Sequence, residues 1–291
     1  MNRIKIVVDS GSDISHEEAV RHDIGVVPLT ISFGTKIFKD FYELTSKKFF
    51  DLLEKAEALP KTSQPNPHEF MEKFTEFEKD YDDIICFTMS KHGSGTYDSA
   101  MNAKSELEGK GFLPKIHIVD SKSISFAETM LATKAAQMVK LGEKASDIVE
   151  KMNSLSERIG SYVIPKNLDA LRMGGRVNTV TAVIGSAFNI RPVIQVIDGW
   201  GRNISKIRGD KGMISKLVEI FFDKCQNSRE IIISHANNIE KANELAAKFK
   251  ERAGDIVIHL NEMGSVMGTH VGKGGVGIFF VEKKPIINNF L

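Results

Sequence analysis

Cysteine is almost absent: the 291 residues include only Cys86 and Cys225. Two thiols so far apart exclude a disulfide framework and a cysteine-built metal site, and Cys86, inside the apolar run Ile84–Thr88, reads as a reduced, buried thiol. Charge of one sign is also missing. Thirty-nine Lys and Arg against thirty-eight Asp and Glu leave a formal charge of +1, so no net field steers the chain toward nucleic acid or an acidic membrane. Long hydrophobic runs are missing as well. The first, Ile4–Val8, is interrupted by Lys5 and stops at Asp9, too short for a signal peptide or a membrane span; a cytoplasmic protein with no transmembrane segment is expected. The eight histidines are scattered and never spaced as His-x-x-x-His, which leaves no metal and no cofactor to expect. Rings with a polar handle are scarce, one Trp and four Tyr against eighteen Phe. That balance suits a plain core or an apolar ligand tunnel.

What is present is enough apolar content, 42%, to bury a large core over a length that suits two domains. Through about residue 160 strands and helices alternate. Ile4–Val8 reads as a buried strand, Ser15 with Glu18 as a capping box opening a helix that Gly25 closes, and Val26–Phe33 as one further strand. A helix carrying Phe49, Phe50, Leu52 and Leu53 stops before Pro60, and Asn66-Pro67 opens another with Phe70, Phe74 and Phe77. Lys115–Val119 is a strand and Phe126–Leu141 a long helix ending at Gly142. This is the pattern of a parallel α/β domain, 1–160. From there a hairpin across Asp198-Gly199-Trp200-Gly201, two helices and further strands point to an α+β domain with a mixed or antiparallel sheet, 161–291.

The central stretch is Ser90–Ala100, which follows the buried strand Ile84–Thr88 and leads into a helix. Gly93 and Gly95 flank Ser94 without side chains, so a ligand can approach the Ser94 hydroxyl and the free amides of the helix start, which favour an anion. A plain helix cap by Ser94 or Thr96 fits the same residues. The segment Pro60-Lys61-Thr62-Ser63-Gln64-Pro65 reads as a stiffened loop whose polar side chains could face a ligand, and an ordinary polar connection fits its spacing equally well. Asp9-Ser10 and Asp120-Ser121 end two strands, so Ser10, Ser94 and Ser121 could share the rim of a parallel sheet. His270 falls among six glycines between Gly264 and Gly277 and reads as lying in a flexible turn. The G-x-G-x-x-G formed by Gly272, Gly274 and Gly277 precedes a strand, not a helix, and is no dinucleotide fingerprint. A serine-dependent hydrolase or acyl-transfer enzyme using Ser94 and His270 is the alternative from another class, although Ser94 lies outside a G-x-S-x-G elbow. Arg176, Lys206, Arg208 and Lys211 read as lying on two loops, either as a phosphate-facing patch or as solvated surface.

Taken together, Val7-Val8-Asp9-Ser10, Pro60–Pro65, Ser94-Gly95-Thr96-Tyr97 with Ser99-Ala100, Gly174-Gly175-Arg176 and Gly268-Thr269-His270-Val271-Gly272 resemble, in order and spacing, the DegV family. The resemblance covers nearly the whole chain. It implies a two-domain fold enclosing one long-chain fatty acid between the domains, and in some bacteria a binding subunit that presents the fatty acid to a separate fatty acid kinase, itself non-catalytic. Carried over by motif, Thr62 and Ser94 would hydrogen-bond the carboxylate, His270 would lie beside it, and Arg176, with Lys206 and Arg208, would face the partner or the phosphate. The sequence departs from the family at two places. Lys273 replaces the Pro that usually follows His-Val-Gly, an exchange expected to loosen the turn carrying His270. Gly209-Asp210 interrupts the basic run after Lys-x-Arg, an exchange expected to weaken kinase docking.

Overall fold

The computed structural model describes residues 3–166, 168–174, 190–226 and 230–286. In chain order the first half comprises β1 (Ile4–Asp9), α1 (His16–His22), β2 (Ile24–Val27), β3 (Thr30–Phe33), β4 (Lys36–Lys39), α2 (Ser46–Lys55), β5 (Lys61–Ser63), α3 (Pro67–Thr75), β6 (Asp83–Thr88), α4 (Thr96–Gly109), β7 (Lys115–Asp120), α5 (Phe126–Lys140) and α6 (Ala145–Ser156). The second half comprises β8 (Ile159–Ile164), α7 (Asp169–Met173), β9 (Ile190–Ile197), β10 (Trp200–Arg208), α8 (Gly209–Lys224), β11 (Glu230–His235), α9 (Ile239–Ala253), β12 (Val257–Glu262), α10 (Ser265–Val271) and β13 (Val276–Val281).

β1, β2, β6 and β7 form a parallel sheet in the order β2-β1-β6-β7. β1 and β6 are buried along their whole length, as central parallel strands covered on both faces must be. Lys5 can sit within β1 because its ammonium pairs with Asp23 at 2.5 Å and lies over the Phe77 ring. The second sheet is mixed, in the order β10-β9-β8-β13-β11-β12, with β11 and β12 its parallel pair. This is a two-domain α/β architecture with a parallel sheet and a mixed sheet, as the sequence implied.

Alternation along the strands sets the layers. Val7, Ile84, Cys86 and Ile116 face α3 and α4, while Ile6, Val8, Ile85 and Phe87 face inward. In the mixed sheet Tyr162, Ile164, Ile231 and Ile278 face α8 and α9, whereas Val163, Ile232 and Phe279 face inward. The inward faces share one core with α2, α5, α6 and α10 between them. Phe126 of α5 meets Phe279 of β13 edge to face at 5.9 Å. The two sheets are thus joined by apolar packing, and the site between them is built on a continuous core.

Several elements differ from the sequence reading. Gly25 does not close the first helix; α1 ends at Asp23, whose backbone is left-handed (φ 53°), and Gly25 lies within β2 against Phe77. Val26–Phe33 is not one strand. The chain breaks at Pro28, which has no amide to offer a ladder, and β3 leaves for a small antiparallel sheet, β4-β3-β5. Lys61–Ser63 is that sheet's third strand and not a loop, with Thr62 paired opposite Ile31. His270 stands in the last turn of α10 rather than in a flexible turn. Lys206 and Arg208 lie on strand β10 and Lys211 in α8, so the expected loop patch is mostly strand. Helix α6 has no counterpart in the sequence reading, although Ala145, Ile148 and Met152 carried its buried stripe. The apolar segment 180–188 falls outside the described residues.

Candidate functional site

A cavity of about 390 Å³ lies between the two sheets. Its wall is largely aliphatic, with Met89, Ile124, Val163, Ile194, Val266 and Met267. Five polar residues line it: Thr62, Ser63, Gln64, Ser94 and His270. They come from three places in the fold. Thr62 comes from β5, Ser94 from the loop between β6 and α4, and His270 from α10. The Thr62 hydroxyl and His270 Nε2 are 3.1 Å apart, one donating to the other according to the tautomer. Ser94 Oγ accepts from the Thr96 amide at 3.3 Å and lies 2.8 Å from Thr96 Oγ1. The N-cap of α4 is Gly95, which has no side chain to cap with. The start of a fourteen-residue helix therefore opens beside the Ser94 hydroxyl at the cavity, an arrangement that favours an anionic group there.

Two glycines keep these side chains in place. A Cβ on Gly95 would lie 2.3 Å from Gln64 Oε1, so the Gln64 side chain rests directly on the helix start, where its amide donates to Ser99 Oγ at 3.2 Å. Gln64 in this way fixes β5, with Thr62, to α4. A Cβ on Gly174 would lie 2.4 Å from His270 Nδ1. The absence of a side chain at the end of α7 is what allows the imidazole its position. Gly174 entered the sequence reading only as part of a motif, because a contact across ninety-six positions leaves no local signal.

Behind the cavity a set of buried acids anchors α10 to the parallel sheet. Asp13 accepts from Ser125 Oγ at 2.5 Å and from the Gly264 amide at 2.9 Å, and Asp40 accepts from the Ser265 hydroxyl. Both carboxyls therefore meet the first turn of the helix that carries His270, where anions are favoured. Asp9, at the end of β1, accepts from the Gly11 and Met89 amides, both at 2.8 Å. Burial pushes Asp9 up to about 7 and Asp13 up to about 8, and raises Asp40 and Glu128 in the same direction.

Of the remaining expected site residues, Ser10 and Ser121 do not share the rim. Ser10 accepts from the Leu29 amide at 2.9 Å and meets the Asp40 carboxyl, and Ser121 donates to the Ser123 carbonyl; neither residue lines the cavity. Arg176 lies outside the described residues. Lys206 and Arg208 are exposed on β10, away from the cavity wall. The departures from the family pattern both have partners. Lys273 pairs with Glu54 of α2, tying the residues after His270 across to the first domain. Asp210 accepts from the buried Arg191 at 2.9 Å, so this acid balances a guanidinium at the foot of β9. Among the described residues no three His, Cys, Asp or Glu side chains are grouped to hold a metal, and no helix is long and apolar enough to cross a membrane.

Residues 3–283 match the family model described as "Uncharacterised protein, DegV family". A DegV domain-containing protein of Caldanaerobacter subterraneus is 32% identical over 289 residues, covering 97% of this chain and 100% of its own length. The crystal structure of DegV, a fatty acid binding protein from Bacillus subtilis, aligns with a TM-score of 0.85 at 28% identity over 97% of this chain and 100% of that one. A DegV family protein from Eubacterium eligens, loaded with heptadecanoic acid, aligns with a TM-score of 0.84 at 27% identity, again over 97% and 100%. With its two sheets in the same arrangement and the family match running almost from end to end, the chain belongs to the DegV family.

Proposed function

We propose that this protein binds one long-chain fatty acid between its two domains, 1–160 and 161–291, and presents the carboxylate to a separate kinase for acyl-phosphate formation. The observation that carries the reading is an aliphatic cavity on whose wall Thr62, Ser94 and His270 are gathered. A tail of about fifteen methylenes, at roughly 0.8 kcal/mol each, offers on the order of 12 kcal/mol of gross burial, from which association and ordering costs are subtracted. Two hydroxyls and an imidazole can hold a carboxylate while leaving an oxygen open to phosphoryl transfer. Arg176, Lys206 and Arg208 are assigned to the partner-facing or phosphate-facing side. The chain is read as non-catalytic and cytoplasmic, with the fatty acid as ligand and no cofactor.

Native mass spectrometry of protein purified from bacteria should show a mass increment matching one C14–C20 fatty acid, released by solvent extraction. Protein that carries none, and takes up none when offered, would end the fatty-acid reading. The kinase step has its own test, phosphorylation of the bound fatty acid by a supplied fatty acid kinase. The hydrolase alternative needs Ser94 Oγ activated by the imidazole, yet Ser94 Oγ is engaged with Thr96 and His270 Nε2 with Thr62. A serine-reactive phosphonate should therefore leave Ser94 unlabelled.

Gly174→Ala offers a test of the imidazole's place. The backbone at Gly174 (φ −75°) accepts alanine, so the added methyl acts chiefly by pushing on the His270 ring, with a lesser contact to the Ala170 carbonyl oxygen at 3.1 Å. Fatty-acid affinity should fall about tenfold, the equivalent of one hydrogen bond to a charged group. The melting temperature should change little. Equal affinity for wild type and variant, measured by fluorescence titration, would place His270 outside the binding site.

A further inference from the structure

The loop that carries Ser94 is gripped from the other domain. The β9–β10 turn reaches across and lays Gly199 on the Ser90–Ser94 loop so closely that a Cβ there would lie 2.6 Å from Ser90 Oγ and 2.7 Å from the Gly93 amide nitrogen. Asp198 and Gly199 both have positive φ, 50° and 78°, the tight-turn geometry that puts two backbones in contact. The Gly199 amide donates to the Lys122 carbonyl at 3.2 Å, a second attachment to the parallel sheet's loops. Beside it the Asp198 carboxylate meets His92 Nδ1 at 3.1 Å, and the Trp200 ring stacks on the same imidazole with centroids 6.2 Å apart. Gly93, Ser94, Gly199 and Gly201 all line the cavity. One contact thus joins the loop bearing a proposed carboxylate ligand to the hairpin that forms part of the opposite wall.

We propose that Asp198 and Gly199 are positioning residues that, acting through His92 and Gly93, hold the Ser94 loop in its ligand-binding conformation, so that parting of this contact sets the rate at which the fatty acid leaves. The proposal rests on the fatty-acid reading. Its physical basis is the short loop itself: Gly93 and Ser94 both donate to the Ser90 carbonyl, at 2.9 and 3.1 Å, so a force at His92 or Gly93 is passed to Ser94 within one turn of backbone. The His92–Asp198 pair is half-exposed, with 37% and 22% of the two side chains accessible. Its loss should therefore change global stability little while freeing the loop.

The chain's single tryptophan sits in the contact, so the experiment has a built-in signal. Wild type, Asp198→Ala, His92→Ala, the double variant and Asp198→Asn are loaded with cis-parinaric acid. Release into excess unlabelled oleic acid is then followed by energy transfer from Trp200. Each alanine variant should release the probe about two- to fivefold faster, the range for a half-exposed ion pair, with melting temperatures near that of wild type. The double variant should be no faster than either single one, since both remove the same contact. Asp198→Asn, which can still accept from His92, should recover most of the slow release. Wild-type rates in both alanine variants, or effects that multiply in the double variant, would overturn the positioning role while leaving fatty-acid binding intact. A wild-type protein that binds no cis-parinaric acid and carries no fatty acid would overturn both readings.

Discussion

Thr62→Val and Ser94→Ala should each lower fatty-acid affinity about ten- to hundredfold, the equivalent of roughly 1.5–3 kcal/mol for a charged oxygen deprived of a partner in a desolvated site. The two hydroxyls reach the cavity from β5 and from the loop before α4, so neither can replace the other. Their structural roles are smaller. Valine suits a strand and keeps the shape of threonine, and it removes from Thr62 only the bond to His270. Alanine at 94 gives up a 3.3 Å bond from the Thr96 amide, about 1 kcal/mol as a lost helix-start interaction. Affinity and stability should therefore separate: titration with a fluorescent fatty acid falls sharply while denaturation midpoints move slightly. If both variants bind as wild type does, the carboxylate lies elsewhere and the polar wall of the cavity has another use.

The sequence was legible where the information is local. Ser15 with Glu18 forms the capping box its spacing implies, and Asn66-Pro67 opens α3. The all-buried β1 and β6, and the hairpin across Asp198 and Gly199, also follow from short-range pattern. What failed was the reading of segments whose conformation is decided by distant partners. Lys61–Ser63 has little strand character and pairs because β3 offers an edge, which β3 can do only because Pro28 ended the strand before it. His270 sits in a helix despite the glycines around it. Gly268 is demanded there by Phe49 and Phe50 of α2, whose rings leave no room for a Cβ, so a residue read as flexible is one of close packing.

The same division holds for the site. The motifs named Thr62, Ser94 and His270, and the fold gathers all three at one cavity. Ser10 looked equivalent to Ser94 by sequence, since both follow parallel strands. Its hydroxyl is instead turned to the Leu29 amide and Asp40, because the chain after β1 folds down as a short 3₁₀ turn under α10. Gly174 and the β9–β10 turn were not readable as site components, for each acts on a residue far away in sequence. The charges of Lys273 and Asp210, departures from the family pattern, become intelligible only beside Glu54 and Arg191.

Raising the pH from about 6.5 to 8.5 should destabilise the protein by about 2–3 kcal/mol, with Asp13 and Asp9 responsible for most of the change. Both carboxyls are buried, and their folded pKa values, about 8 and about 7, stand above the ordinary 3.8. A group raised in this way holds its proton more firmly folded than unfolded. Its contribution is complete below about pH 4 and is lost as the pH rises through the folded value. The raised His259, paired with Glu230, acts in the same direction. His22 and His235 are lowered by burial and act oppositely, disfavouring the fold at low pH, but this pH dependence ends at their unfolded value near 6.5, so the window above it is set by the acids. At the acid end Glu230, held down to about 2, loses its pairing as the pH falls from 4.5 toward that value, which places the stability maximum near pH 4, where the raised acids still hold their protons. Asp13→Asn provides the decisive comparison. The amide can accept from Gly264 and donate to Ser125, so the fold keeps both bonds at this junction while one titrating group is removed. Urea denaturation at half-unit steps from pH 5 to 9 should show wild type losing stability across the window and the variant losing less than half as much. Because Asp13 meets the first turn of α10, the loosening in wild type should appear first as faster amide exchange in residues 264–271, before the rest of the chain responds. A wild-type profile that is flat or rising above pH 6.5 would mean that these carboxyls stay ionised within the fold.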